Sequence, residues 1–153
     1  MIRDAKLIFS TSQTFCATDL TTQAVSTNIV DLGAEDLGIG HGTPLYLNVR
    51  LEGDHTVNAL GNTGYVDFKL DHDTGSTFVD TGPGVFTKRV NIDKLTGISG
   101  TNGWVIRQAI PGETKRYLRM VYVRGLDAST AFTSPLHISS WISGATPETN
   151  VGT

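Results

Sequence analysis

A chain of 153 residues with 39% hydrophobic and 18% charged residues is long enough for one domain with its own apolar core. It therefore needs no metal or disulfide to fold, and its single cysteine, Cys16, excludes an internal disulfide. A net charge of −3 argues against nucleic-acid binding through a broad positive field. Seventeen glycines, many threonines and few helix-forming stretches favour an all-β chain full of turns.

The predicted elements run as follows. Asp4 to Ser10 opens the chain as a strand, and Ser26 to Leu32 follows a polar segment. Leu45 to Glu52 alternates cleanly, with Leu45, Leu47, Val49 and Leu51 on one face and Tyr46, Asn48, Arg50 and Glu52 on the other. One dry and one wet face suit an antiparallel sheet. Tyr65 to Asp71 repeats the pattern, with Val66, Phe68 and Leu70 inward. Phe78 to Thr81 is a short strand. Val85 to Ile92 carries Phe86, Val90 and Ile92 on one parity, and Trp104 to Ile110 puts Trp104, Ile106 and Ile110 on one side. Arg116 to Arg124 is rich in β-formers and lacks glycine and proline, which predicts a strand deep in a sheet. The Ile110–Lys115 segment before it reads as a tight reversal. Leu136 to Ile142 comes last, with Trp141 opposite Leu136, Ile138 and Ile142. One helical turn is expected at Leu32–Leu37 and another at Asp93–Leu95. Short strands at this spacing predict a single-domain antiparallel sandwich or barrel of about eight strands over residues 1–144. A polar, frayed tail follows at 145–153.

The motifs that mimic chemistry fail on spacing. Gly38-Ile-Gly-His-Gly42 is followed by Thr43, Pro44 and a strand, whereas a phosphate loop needs a helix whose backbone N–H groups face the anion. Asp71-His-Asp-Thr-Gly75 starts like a calcium loop, but its glycine comes one position early and the closing glutamate is missing. A turn capped by its own short acidic side chains is the plainer reading. His41, His55, His72 and His137 show no ligand spacing, and Gly97-Ile-Ser-Gly100 is not a nucleophile elbow. No enzyme, cofactor or metal is expected. No apolar run approaches the roughly 20 residues of a membrane span, and Met1 to Ser10, with charges at Arg3, Asp4 and Lys6 and only Leu7-Ile-Phe9 apolar, does not read as a secretory leader, so synthesis in the cytosol is expected.

The one basic concentration comprises Lys88, Arg89, Lys115, Arg116, Arg119 and Arg124. Solvated strand faces are the default reading. A contact patch is the sharper one, because arginine beside tyrosine is common in interfaces. Tyr46, Tyr65, Tyr117 and Trp141, taken as exposed, are alternative platforms for sugar rings.

Three stretches carry a resemblance. They are Ser26-Thr-Asn-Ile-Val-Asp-Leu-Gly33 with the Gly-rich loop and Pro44-Leu-Tyr-Leu-Asn-Val-Arg50 after it, the Asp-rich turn before Phe78, and Ile110-Pro-Gly-Glu-Thr-Lys-Arg-Tyr-Leu-Arg119. Together they resemble the small jelly-roll capsid cement proteins of tailed bacteriophages. The resemblance implies a jelly-roll sandwich that decorates the head exterior, often as a homodimer, and clamps neighbouring major capsid proteins. That family has no catalytic residues and no contact motif. Lys115, Arg116, Tyr117, Arg119, His41 and Tyr46 are the expected contact residues on this chain. Two alternatives compete with it. One is a carbohydrate-binding jelly-roll for host adsorption with Asp71 and Asp73 as cation ligands. The weaker one is a double-stranded β-helix enzyme with a two-histidine, one-carboxylate centre.

Overall fold

The computed structural model describes residues 7–15, 23–33, 44–52, 64–79, 84–95, 103–112, 114–125 and 135–144. Cys16, His41, His55, the Gly38–Gly42 loop and the 145–153 tail lie outside the described residues. Nine strand segments and one helical turn make up the described part: β1 (Ile8–Phe15), β2 (Gln23–Val25), β3 (Val30–Asp31), β4 (Tyr46–Glu52), β5 (Tyr65–Asp73), β6 (Phe86–Asn91), α1 (Ile92–Leu95), β7 (Trp104–Ala109), β8 (Tyr117–Gly125) and β9 (Leu136–Ser143).

All the pairings are antiparallel. Sheet A has the order β1-β9-β4-β7, and sheet B has the order β2-β8-β5-β6 with β3 also on β8. β2 and β3 are two halves of one strand against β8, so eight strands form two four-stranded sheets. Except between β5 and β6, each connection between these strands passes from one sheet to the other. That winding is the jelly roll. The Ile110–Lys115 segment is therefore a crossing from sheet A to sheet B and not the expected hairpin reversal. β8 sits in the middle of its sheet, as its unbroken run of β-formers predicts.

The core lies between the sheets. Phe9, Phe15, Leu47, Val49, Leu51, Ile106, Leu136, Ile138 and Ile142 face it from sheet A, and Val30, Val66, Phe68, Leu70, Val90, Leu118, Met120 and Tyr122 from sheet B. The alternation read from β4, β5 and β9 is the observed one. Each fully buried aliphatic or aromatic side chain contributes roughly 1.5–3 kcal/mol, which is why a period-two pattern with one dry face folds in this way.

Four local departures from the expected strands have identifiable causes. β1 runs through Phe15 instead of stopping at Ser10, and Ser12 adopts a φ of 47° at a register shift against β9. The Ser12 N–H donates to Ser139 Oγ at 2.9 Å, which holds this bulge in place. The expected Ser26–Leu32 strand is broken. The Ser26 N–H donates to the Met120 carbonyl at 2.8 Å, and the Met120 N–H donates back to Ser26 Oγ at 3.1 Å. A side-chain oxygen thus replaces a ladder carbonyl while the chain bulges out over residues 27–29. Phe78 and Val79 form no strand; Phe78 closes a turn with a φ of 49° and is buried. Finally, Val49 pairs with Ile106 but Arg50 pairs with Trp104, so Val105 is an extra residue on β7. This bulge turns Trp104 to the outer face, whereas simple alternation puts it beside Ile106 in the core.

Tyr122 ties the two sheets together. Its ring packs against Phe15 and Phe68 at centroid distances of 5.9 and 6.0 Å. Its hydroxyl shares hydrogen bonds with Ser10 Oγ at 3.1 Å and Ser140 Oγ at 2.8 Å, both on sheet A. Burial pushes the Tyr122 phenol above its ordinary value, against the lowering effect of these two hydrogen bonds.

Candidate contact surfaces

The outer faces of the two sheets carry different chemistry. On sheet B, strand register puts aspartates and arginines opposite one another. Asp67 pairs with Arg89 across β5 and β6, and Asp71 pairs with Arg119 across β5 and β8. The Arg89 guanidinium donates to Asp67 through Nε at 2.8 Å and Nη2 at 2.9 Å and lies 3.6 Å above the Tyr65 ring. Arg119 donates to Asp71 at 3.4 Å and lies 4.2 Å from the Phe78 ring centre. Arg116 donates to both oxygens of Asp31 at 2.7 and 2.9 Å and lies 5.0 Å from the Tyr117 ring.

Each of these arginines therefore contacts both a carboxylate and an aromatic ring. The Arg116 hydrogen bond holds the Asp31 carboxyl below its ordinary range, helped by the Gly33 N–H, and Asp31 in turn raises Arg116. Asp67 raises Arg89 in the same way. Arg116 is exposed and Asp31 half-buried, so the pair orients β3 on β8 more than it stabilises the fold.

Asp73 ends β5 as a turn cap. Its Oδ1 accepts from the Gly75 N–H at 3.2 Å and from the Thr74 hydroxyl at 3.3 Å, which is the self-capped turn expected of this segment. His72 Nδ1 accepts the Lys115 N–H at 3.2 Å and anchors the crossing from β7 to β8. Among the described residues, no three histidine, cysteine or acidic side chains come together in a metal-holding group. No helix among them is long and apolar enough to cross a membrane.

On sheet A, the outer face of β7, β4 and β9 reads in rows as Ala109–Tyr46–Ser143, Arg107–Asn48–Trp141 and Trp104–Arg50–Ser139. Trp104 and Trp141 pack with centroids 5.5 Å apart. The Arg107 guanidinium lies 4.5 Å from the Trp104 ring centre and that of Arg50 lies 6.0 Å from it. Asn48 is buried and donates to the Tyr46 carbonyl at 3.2 Å and to Ser143 Oγ at 3.1 Å.

The expected contact residues are thus divided. Lys115, Arg116, Tyr117 and Arg119 lie at or near the start of β8, with Tyr117 and Arg119 on the outer face of sheet B. Tyr46 lies on the outer face of sheet A, and His41 is outside the described residues. Trp141 is 4% exposed, so it is not the open platform expected of it, and Tyr65 and Tyr117 are half-buried with arginines over their rings. Arg124 is also buried instead of solvated, because it shares the inward parity of Tyr122. Trp104 and Arg107 escaped the sequence reading. The bulge that turns the first to the outer face has no residue signature in β7, and the second lacks a charged neighbour in sequence.

The fold and its faces define a single-domain, jelly-roll β-sandwich with arginine–aromatic clusters on both outer surfaces. The chain belongs to the Bbp16 family, whose sequence profile matches residues 9–134. No curated protein sequence matches it.

Proposed function

We propose that this chain is a structural virion protein that binds the outer surface of a tailed-phage head and cements contacts between major capsid subunits. The observation that carries the reading is the jelly-roll strand order. It is the fold implied by the resemblance of the Ser26–Gly33 and Ile110–Arg119 stretches to capsid cement proteins. The outer faces support it too, since they present arginines stacked on rings, a chemistry of adhesion.

A rigid block that binds only the assembled shell stabilises that shell by mass action, by about 2.7 kcal/mol per site at a hundredfold excess over Kd. The reading includes a homodimer, because one self-complementary patch lets two copies bridge subunits. It also places synthesis in the host cytoplasm and the final location on the head exterior.

The test is biochemical. A 16.4 kDa band should accompany purified particles on a denaturing gel. Particles made without the chain should break at lower temperature or under milder osmotic shock. Unchanged resistance sinks the cementing role.

A further inference from the structure

Three times on sheet B the molecule builds the same unit, an arginine in contact with both an aromatic ring and a carboxylate: Arg89 with Tyr65 and Asp67, Arg116 with Tyr117 and Asp31, Arg119 with Phe78 and Asp71. A fourth unit stands on sheet A with a part missing. Arg107 lies over Trp104, but it has no carboxylate partner among the described residues. Among the described residues its Nε is a buried donor without an acceptor, as are Trp104 Nε1 beside it and, elsewhere, the Nε atoms of Arg119 and Arg124. Buried donors normally find acceptors, so two neighbouring ones left without any call for an explanation. Among the described residues β7 is moreover the edge strand of its sheet, with no further strand paired along that side.

We propose that the Arg107–Trp104 face is a protein-docking surface and that the partner supplies the missing carboxylate, an aspartate or glutamate side chain taken by the Arg107 guanidinium. The guanidinium already rests against the indole, 4.5 Å from its ring centre, so less side-chain freedom is lost when the pair forms. A carboxylate matches the planar fork of donors, which a neutral acceptor does not. The net charge of −3 means that attraction comes from this site and not from the molecule as a whole. The inference deepens the proposed function, and it rests on that reading in taking the partner to be a shell subunit.

The experiment is co-sedimentation of the purified chain with heads assembled without it. Wild-type protein that fails to co-sediment refutes both the cementing role and the partner named here. With wild-type binding in hand, Arg107→Met should weaken it about tenfold or more, and Arg107→Glu further. Arg107→Lys should recover only part of the affinity, because a lysine keeps the charge and loses the fork. Lys69→Gln on sheet B removes the same charge and should bind as wild type. Far-UV circular dichroism and the urea midpoint identify any variant that is merely unfolded; Arg107→Met keeps the aliphatic stem over the indole and decides the matter if Arg107→Glu does not fold. Arg107→Met binding as well as wild type, or Lys69→Gln binding as poorly as Arg107→Met, overturns the inference and leaves the cementing role standing.

Discussion

Replacing Tyr122 by phenylalanine tests whether a polar tie across the core helps to hold the sheets in register. The ring stays, so its packing on Phe15 and Phe68 is preserved and the change isolates the hydroxyl. Two buried hydrogen bonds are lost, to Ser10 at 3.1 Å and Ser140 at 2.8 Å. Ser10 keeps its bond to Gln13 Oε1 at 2.6 Å, but the fully buried Ser140 is left without the tyrosine hydroxyl. A net hydrogen bond is worth roughly 0.5–1.5 kcal/mol, and a stranded buried hydroxyl adds to the loss, so a destabilisation of about 1.5–3 kcal/mol is expected.

Urea unfolding followed by circular dichroism should show a lower midpoint at an unchanged slope, since the surface exposed on unfolding is the same. A second readout follows from ionisation. The folded Tyr122 value is raised by burial, so the unfolded chain loses this proton first as the pH climbs. The contribution is intact below the ordinary tyrosine value of about 10 and is lost as the pH rises from there through the folded value. Wild-type stability should therefore fall more steeply above that pH than the stability of Tyr122→Phe. A loss under about 0.5 kcal/mol, with identical alkaline slopes, would refute the reasoning.

Three further outcomes are expected. Gly103→Ala places a Cβ 2.1 Å from the Leu51 carbonyl oxygen, at the point where the Leu51 N–H donates to the Gly103 carbonyl. Backbone cannot give way there as a side chain can, so a loss of about 3 kcal/mol and a lower Tm should appear in a thermal melt; an unchanged Tm contradicts the close approach. Leu118→Ala empties a fully buried site in the centre of sheet B and should cost about 2–5 kcal/mol by urea unfolding, against a few tenths for an exposed position. Asp31 should titrate below 3.8 by carbon-detected NMR and move back toward that value in Arg116→Gln, incompletely because the Gly33 N–H remains. The sign is that of a depressed carboxyl: its contribution is present above its ordinary value and is lost as the pH falls through the lower folded one. An Asp31 titration indifferent to Arg116 contradicts the pairing.

The parts of the fold legible in the residues are those where one face is dry. β4, β5 and β9 alternate because every second side chain enters the same core, and a period of two records that directly. The Asp71–Gly75 turn was legible for a related reason, since a short acidic side chain and a glycine act within their own segment. The contact residues were harder. Arg116 and Arg119 read as cations by type, yet whether each is a free charge depends on Asp31 and Asp71, which lie 85 and 48 positions away in the chain.

Composition and alternation by themselves determined that this is an all-β molecule with two apolar faces to bury, because side-chain parity is a local property of an extended chain. Only the tertiary structure decided which sheet each strand joins. A strand's pattern is the same whether the next turn closes a hairpin or crosses the core. Tertiary structure also decided that Trp104 faces outward and that Arg107 stands beside it without a carboxylate among the described residues. A single bulge reverses parity, and the partner of a charge is set by register between strands remote in sequence.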